Sequence, residues 1–229
     1  MTTTLITGAT RGLGLETARR LRGLGHTVYL GARDPRRGAE EASRIGAIPI
    51  EIDVTQLESV DAAAERVRSE SGSLDVLVNN AGIAGEQRPP AEATIADLRR
   101  VFETNVIGAA AVLRAFTPLL EASAHPLVVN VSSAVGSLTL NAGPGTPWSM
   151  IAYPASKAAL NMLTLQYAHA FPRWRVNSVT PGLTATDFTP EPNKGGSVED
   201  NVEVIVRMST LAPDGPTGEF HGNDGVVPW

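Results

Sequence analysis

The sequence contains no cysteine among its 229 residues. Disulfides, thiolate metal sites and cysteine nucleophiles are therefore excluded, which suits a reducing compartment. A basic surface is also missing, because the net charge is -5 and the pI is about 5.4, so we expect no nucleic-acid partner. No stretch approaches the roughly 18 apolar residues of a membrane-spanning helix, and no signal-peptide pattern precedes the first apolar residues. These absences predict a cytoplasmic protein with no membrane partner.

The histidines do not form a recognisable metal site. They are His26, His125, His169 and His221, and none has the spacing of metal ligands. We therefore predict that the protein holds no metal.

Strand-like and helix-like stretches alternate along the chain, without an internal repeat or a linker. This alternation predicts an α/β fold, a Rossmann-like doubly wound parallel sheet of about seven strands with helices on both faces. We expect one domain over residues 1–229, which is long enough to bury its own core. Predicted strands include residues 27–30, 47–52, 74–78, 127–131 and 176–179, and predicted helices include 36–45, 58–71, a long helix from Thr94 to about Leu119, 153–170 and 197–211.

A glycine-rich stretch lies between the first apolar residues and the first helical pattern. Its sequence is T-G-A-T-R-G-L-G over residues 7–14. Glycines permit a tight turn and close approach of a phosphate, and the following helix directs its N-terminal amides at that phosphate. The spacing differs from the common G-x-G-x-x-G fingerprint, and a turn that needs glycine for geometry alone is the alternative. The candidate cofactor-binding residues are Gly8, Thr10, Arg11, Gly12, Leu13 and Gly14.

Tyr153 and Lys157 stand four residues apart on a predicted helix, so both side chains project from one face. A tyrosine with its ordinary pKa near 10 exchanges protons poorly at neutral pH unless a cation favours the phenolate. Lys157 supplies that cation, which makes the pair a candidate general acid and base. A surface pair without function is the alternative interpretation of this spacing.

The order of several motifs resembles the short-chain dehydrogenase/reductase family, with a likeness to its carbonyl and ketoacyl reductases. The motifs are Thr7-Gly8 with Gly12-x-Gly14, Asn79-Asn80-Ala81-Gly82, Thr104-Asn105-Val106, Ser133 after a strand, Tyr153-x-x-x-Lys157 and Pro181-Gly182. The resemblance implies that the protein is an oxidoreductase that moves a hydride between a nicotinamide cofactor and a carbonyl or secondary alcohol carbon. Its expected partner is a small carbonyl or alcohol substrate.

The resemblance also implies a role for each residue of the reaction centre. Tyr153 would be the general acid or base, and Lys157 would lower its pKa and bind the nicotinamide ribose. Ser133 would hydrogen-bond the substrate oxygen. We choose Ser133 over Ser132 because it stands before Ala-Val-Gly, as the family's serine stands before x-x-Gly. Asn105 would help to hold a water next to Lys157, and its alternative role is that of a buried amide satisfied by the backbone.

The preference between NADP and NAD depends on the end of the second strand. A carboxylate there binds the adenosine ribose of NAD, whereas an arginine accommodates the additional phosphate of NADP. Arg33 comes first and Arg11 offers a second cation, so we predict NADP, with NAD as the alternative if Asp34 reaches the ribose.

The family's other cofactor contacts map onto several further positions. They are Asp53, Val54, Asn80, Ala81 and Gly82 around the adenosine, and Pro181, Gly182, Leu183, Thr184 and Thr186 around the nicotinamide. Asp53 has an alternative role as a helix or turn cap. Two segments are candidates for substrate contact, the loop before Tyr153 with Trp148 and Met150, and residues 188–196, which could close over the substrate.

Three questions stay open at this stage. A silent NADP-sensing protein, an enoyl reductase or an epimerase could use the same scaffold. By resemblance we expect a homodimer or homotetramer that pairs through the helix with Asn105 and the helix with Tyr153. The final residues, Val226-Val227-Pro228-Trp229, could pack across such an interface, over the pocket or on their own core.

Overall fold

The computed structural model describes residues 2–86, 88–143, 150–185 and 195–229. Within these residues one sheet is formed in the order β3-β2-β1-β4-β5-β6-β7-β8. Its strands are β1 Thr3–Ile6, β2 Thr27–Ala32, β3 Ile48–Glu51, β4 Val76–Asn79, β5 Leu127–Val131, β6 Arg175–Val179, β7 Phe220–Gly222 and β8 Gly225–Val226. All neighbours pair in parallel except β7 and β8. The predicted doubly wound α/β fold is confirmed, with eight strands in the described chain rather than about seven.

Helices cover both faces of this sheet. They are α1 Gly12–Gly23, α2 Pro35–Ile45, α3 Leu57–Ser71, α4 Ile95–Phe102, α5 Ala109–Glu121, α6 Leu138–Asn141, α7 Ala152–Ala170, α8 Val198–Asn201 and α9 Glu203–Met208. One apolar cluster joins α3 and α5 to the sheet through residues such as Val60 and Phe116. A second cluster joins α1 and α9 to the opposite face through Leu21 and Ile205. The central strands are therefore buried on both sides, and ligands can reach the sheet only at the strand ends.

The long helix predicted from Thr94 is interrupted by a π-helical turn. Thr94 caps α4, because its hydroxyl accepts a hydrogen bond from the amide of Asp97 at 3.1 Å. A π-helical turn over Glu103–Gly108 then joins α4 to α5. Such turns occur often at functional sites, and this one contains Asn105.

The helix predicted over residues 197–211 is wrong as one continuous helix. Two short helices, α8 and α9, take its place. The amide of Val204 donates to the side-chain oxygen of Asn223 at 3.0 Å, so a residue from the turn between β7 and β8 caps the second helix. This long-range cap divides the predicted helix.

Strand β3 forms one edge of the sheet and carries a proline at its second position, Pro49. The guanidinium of Arg66 donates to the carbonyl oxygen of Pro49 at 2.8 Å. Proline has no amide proton, so Pro49 cannot donate to another strand, and its carbonyl oxygen already accepts one hydrogen bond.

None of the helices in the described part of the chain combines the length and apolarity needed to cross a lipid bilayer.

Candidate active site

The glycine turn connects β1 to the N-terminus of α1. Gly8 and Gly12 have φ angles of 63° and 53°, in the left-handed region that favours glycine. The N-cap residue of α1, Arg11, provides no side-chain cap, whereas Asp34 and Thr94 cap α2 and α4. Within the described part of the chain the first amides of α1 therefore receive no cap from that residue, and the first turn carries no acidic residue. This arrangement fits a cofactor phosphate, which would supply the acceptor.

The segment after β4 is hydrogen-bonded directly to the glycine turn. The side-chain amide of Asn80 donates to the carbonyl oxygens of Thr7 and Gly8 at 2.9 and 3.1 Å. In return, the hydroxyl of Thr7 accepts from the backbone amides of Asn80 and Ala81, both at 3.0 Å. Thr7 was not among the predicted site residues, although it opens the motif that identified them. It connects two loops that the sequence analysis assigned to one cofactor.

Two glycines of α1 provide a matched test of this packing. A Cβ on Gly14 would lie 2.5 Å from the side-chain nitrogen of Asn80 and 2.8 Å from the carbonyl oxygen of Gly8, whereas a Cβ on Gly23 would contact nothing within 4 Å. We expect Gly14→Ala to lower the free energy of unfolding by about 1–3 kcal/mol through overpacking. Gly23→Ala should raise it by up to about 1 kcal/mol through helix propensity. Urea denaturation of both variants measures this, and equal effects would contradict the packing argument.

The two candidate contacts of the adenosine end of the cofactor, Arg33 and Asp34, directly follow β2 and lie in different environments. Asp34 caps α2, and its Oδ1 accepts from the backbone amides of Arg36 and Arg37 at 3.0 and 3.2 Å. Arg33 is exposed immediately after the strand, and Arg11 is exposed at the start of α1. The carboxylate is therefore engaged in a helix cap, while the guanidinium of Arg33 extends from the strand end into solvent.

The end of β3 presents Asp53 and Val54. Oδ1 of Asp53 accepts from the amide and the hydroxyl of Thr55 at 3.0 and 2.8 Å, which makes this residue a turn cap. Val54 is buried and would contact a Cβ placed on Gly108. The alternative role that we gave Asp53 is thus present in the structure, and its adenosine contact stays a prediction.

Tyr153 lies in the first turn of α7, where the hydroxyl of Ser133 hydrogen-bonds its phenol. The neighbouring Ser132 is directed elsewhere, since its hydroxyl donates to the carbonyl oxygen of Lys157 at 3.4 Å. Helix α7 begins at Ala152, so Pro154 occupies the first turn, where proline is tolerated. The structure therefore brings Ser133, rather than Ser132, to Tyr153.

Lys157 lies one turn after Tyr153 and is almost completely buried. Its ammonium is 5.5 Å from the centre of the Tyr153 ring and donates to the carbonyl oxygen of Val131 at 2.7 Å. A Cβ on Gly82 would lie 3.6 Å from the same ammonium. The segment after β4 thus reaches the reaction centre as well as the glycine turn.

Burial perturbs both ionisable groups of this pair. Desolvation raises the pKa of Tyr153 to about 12, against which the hydrogen bond from Ser133 acts more weakly. Desolvation lowers the pKa of Lys157 to about 8. The pKa of Tyr153 is thus raised, whereas the sequence predicts a lowered one. Tyr153 instead holds its proton firmly at neutral pH.

Both donors of the Asn105 side chain and its carbonyl oxygen form hydrogen bonds within the protein. Its Oδ1 accepts from the amide of Ile83 at 2.8 Å, and its Nδ2 donates to the carbonyl of Ile83 at 2.9 Å and to Ser156 at 3.0 Å. The hydroxyl of Ser156 in turn donates to the carbonyl oxygen of Tyr153 at 2.7 Å. Asn105 therefore connects the segment after β4 to the first turn of α7, which corresponds to the backbone-satisfied alternative. Ser156 was missed because a serine inside a helix carries no distinctive sequence signal.

The segment after β6 is held by a residue that the sequence analysis missed. The amide of Asn201 donates to the carbonyl oxygen of Leu183 and to the hydroxyl of Thr184, both at 2.9 Å. Gly182 has a φ of 83°, so a side chain would strain the turn that follows Pro181. The nicotinamide contacts of these residues stay predictions. Thr186 and Trp148 lie outside the described residues, as does most of the 188–196 segment.

Comparisons with known proteins agree with this geometry. Residues 2–195 match the family model described as short chain dehydrogenase. A short-chain dehydrogenase of Penicillium roqueforti is 37% identical over 90% of this chain and 87% of its own. The (+)-neomenthol dehydrogenase of Arabidopsis thaliana is 32% identical over 97% of this chain and 96% of its own. The NADPH-bound carbonyl reductase from chicken fatty liver superposes with a TM-score of 0.88 at 28% identity, covering 99% of this chain and 98% of that one. The chain is therefore an oxidoreductase of the short-chain dehydrogenase family.

Proposed function

We propose that this protein is an NADP-dependent reductase that converts a carbonyl compound to the alcohol, with Tyr153 as the proton donor. The observation that carries the proposal is the arrangement of three residues. Ser133 follows the carboxyl end of β5, and Tyr153 and Lys157 lie in the first two turns of α7. These residues adjoin the uncapped α1 terminus through the segment after β4. Open parallel sheets bind their ligands at these strand ends.

Different residues of the chain would bind the cofactor, stabilise the developing charge and transfer the proton. The glycine turn and Asn80-Ala81-Gly82 bind and orient the cofactor, which when bound supplies the hydride that adds to the carbonyl carbon. The hydroxyl of Ser133 donates to the substrate oxygen, where negative charge develops. Tyr153 then transfers its proton to that oxygen. A pKa of about 12 keeps this proton in place at neutral pH until the oxygen becomes basic enough to accept it.

Lys157 would stabilise the phenolate that this transfer leaves behind. Its ammonium lies next to the Tyr153 ring, and a cation there favours the charged form of the phenol. Asn105 acts as a positioning residue, because its side chain joins Ile83 to Ser156 and has no remaining donor.

The first test is NADPH oxidation by the purified protein with a panel of ketones, aldehydes and quinones, with NADH as the control cofactor. We expect turnover of carbonyl compounds and an alcohol as the product. Reduction of a carbon–carbon double bond or inversion of a stereocentre would overturn the proposal. Tight NADPH binding without turnover of any compound would favour a sensing protein instead.

The preference for NADP can be tested at Arg33. We propose that its guanidinium binds the 2′-phosphate, because Asp34 is engaged as the cap of α2. A charge-assisted hydrogen bond contributes about 1.5–3 kcal/mol, so Arg33→Ser should raise the KM for NADPH about 10- to 100-fold and leave that for NADH unchanged. Arg36→Ser is the matched control, since that exposed guanidinium pairs with Glu40 at 3.4 Å. Equal losses with both cofactors would contradict a phosphate contact.

A further inference from the structure

Residues 227–229, which we call the strap, are anchored to β7, the strand next to the edge strand β8. The amide of Val227 donates to the carbonyl oxygen of Phe220 at 2.7 Å. The ring of Trp229 stacks on that of Phe220, with centroids 5.6 Å apart and planes inclined by 17°. Because Phe220 is completely buried in β7, the strap is attached to the core of the same chain.

The strap also holds the segment that follows Ser133. The hydroxyl of Ser137 donates to the carbonyl oxygen of Pro228 at 2.6 Å, and the amide of Thr139 donates to the backbone oxygen of Trp229 at 2.8 Å. Ser137 is completely buried, and its hydroxyl also accepts from the amide of Leu140 at 3.1 Å, which caps α6. One hydroxyl thus starts α6 and fastens it to residues about ninety positions later in the chain.

Helix α6 is in turn joined to the reaction centre. The side chain of Asn141 donates to the carbonyl oxygens of Ala134, Val135 and Ser137 at 2.7–3.3 Å, which folds α6 onto the turn after Ser133. That turn packs so closely on α7 that a Cβ on Gly136 would lie 2.7 Å from the Cβ of Lys157. A continuous series of contacts therefore connects the strap, through α6 and the turn after Ser133, to α7.

Helix α6, which the strap contacts, and the segments around Tyr153 expose several apolar side chains. Leu138 and Leu140 of α6 are 74% and 49% exposed, and Ile151 and Leu183 near the reaction centre are 38% and 47% exposed. No acidic or basic residue occurs in segments 133–143, 150–156 or 180–185. Exposed apolar side chains next to a reaction centre are typical of a ligand groove. A carboxylate or phosphate on the substrate would find no counter-charge in these segments.

We propose that the strap positions α6 beside Ser133, and that Leu138 and Leu140 form an apolar wall that selects neutral, apolar carbonyl compounds. This substrate assignment rests on the reductase function proposed above. The attachment of α6 by the strap does not, so the two parts are tested by different measurements.

Hydrogen–deuterium exchange tests the strap without any need for turnover. In Trp229→Ala we expect the amides of residues 137–142 to exchange at least about tenfold faster, as local opening becomes easier, while those of β1 stay protected. Trp229→Phe, which retains the ring stack, and Val226→Ala, at an exposed neighbouring position, should behave like the unmodified protein. Ser137→Ala should reproduce the effect from the other side of the contact. Unchanged exchange in both Trp229→Ala and Ser137→Ala would refute the strap.

A matched pair of ketones tests the apolar wall. We expect kcat/KM for 4-tert-butylcyclohexanone to exceed that for 4-oxocyclohexanecarboxylate at least about 100-fold, because the carboxylate would be desolvated without a partner. Leu138→Lys and Leu140→Lys should lower kcat/KM for the neutral ketone at least about tenfold and leave the affinity for NADPH unchanged. Leu57→Lys, at a similarly exposed leucine of α3, is the control.

The outcomes separate the two proposals. Equal or better reduction of the carboxylated ketone would refute the apolar wall while supporting the reductase function. Failure to reduce any carbonyl compound, with NADPH still bound, would refute the reductase function and with it the wall, and the exchange measurement would still decide the strap.

Discussion

Replacing Tyr153 by phenylalanine should lower kcat for carbonyl reduction about 10²- to 10⁴-fold, the range expected for loss of a positioned general acid. The substitution removes one hydroxyl and retains the ring, so the packing at the start of α7 is conserved. The Kd for NADPH should change less than about threefold, because the proposed phosphate-binding turn belongs to α1 and not to α7. Steady-state kinetics and fluorescence titration of NADPH measure the two quantities.

Ser133→Ala provides a comparison for this result. If Ser133 donates to the developing oxyanion as proposed, its loss should lower kcat about 10²- to 10³-fold, while Tyr153 keeps its proton. Ser132→Ala is the control, because among the described residues the hydroxyl of Ser132 hydrogen-bonds only to the carbonyl oxygen of Lys157. If Tyr153→Phe retained more than about a tenth of the activity, another group would have to supply the proton.

Replacing Lys157 by methionine should abolish turnover and stabilise the fold at neutral pH. Burial lowers the pKa of Lys157 from 10.5 to about 8. This difference corresponds to a cost of about 3 kcal/mol for keeping the buried ammonium charged. Methionine removes that cost, but it also leaves the carbonyl oxygen of Val131 without its donor, which costs about 1 kcal/mol. We therefore expect the free energy of unfolding at pH 7 to rise by about 2 kcal/mol.

The sign of the pH dependence provides an independent check. From pH 8 upward the folded protein loses the Lys157 proton while the unfolded chain retains it, so this group makes stability rise with pH. Above about pH 10 the trend reverses, because Tyr153 stays protonated in the folded state and ionises in the unfolded state. In urea denaturation, Lys157→Met should remove the rise in the free energy of unfolding between pH 8 and 10. Lys157→Arg, which stays charged, should also remove this rise but should not stabilise the folded protein at pH 7.

The lysine pKa itself is open to direct measurement. The sequence has two lysines, Lys157 and Lys194, so labelling with ¹³C-lysine provides two side-chain signals for NMR titration. One signal should titrate near pH 8 and disappear in Lys157→Met. Two signals that both titrate above pH 10 would rule out the proposed burial cost.

The sequence predicts the elements of this fold well where local pattern and tertiary environment agree. Residues 127–131 are a run of mainly apolar residues, and the structure has β5 over the same residues. Pro154 correctly indicates that α7 begins shortly before it, because proline is excluded from helix interiors. These features depend on neighbouring residues alone, and the sequence contains that information.

Prediction fails where a distant residue decides the structure. The apolar spacing of residues 197–211 suits one helix, and nothing within that stretch reveals that Asn223 caps a second helix at Val204. The apolar residues before and after the π-helical turn around Asn105 keep helical spacing, so the pattern does not reveal the turn. The sequence leaves the location of the final residues open, because their contacts with Phe220, Ser137 and Thr139 join positions far apart in the chain.

In the candidate site, too, some features follow from the local sequence and others depend on distant residues. Motif spacing selects Ser133 over Ser132, and the structure brings that serine to the phenol of Tyr153. The roles of polar side chains are less predictable, because a carboxylate or amide can satisfy the backbone as readily as a ligand. The sequence offers the carboxylate of Asp34 as a ligand of the adenosine ribose, but in the structure it caps α2. It likewise suggests that Asn105 holds a water, whereas its side chain holds the backbone of Ile83.

The proline in the edge strand β3 has a consequence for how copies of this chain can associate. An incoming strand needs free amides and carbonyls along the edge, and at Pro49 it would meet a residue without an amide proton whose carbonyl oxygen already binds Arg66. At the opposite edge, β8 is only two residues long. Within the described residues, neither border of the sheet offers a long, uninterrupted row of free backbone groups, which disfavours pairing between the sheet edges of two chains. Copies of this chain would therefore associate more readily through helix and loop surfaces than by joining their sheets.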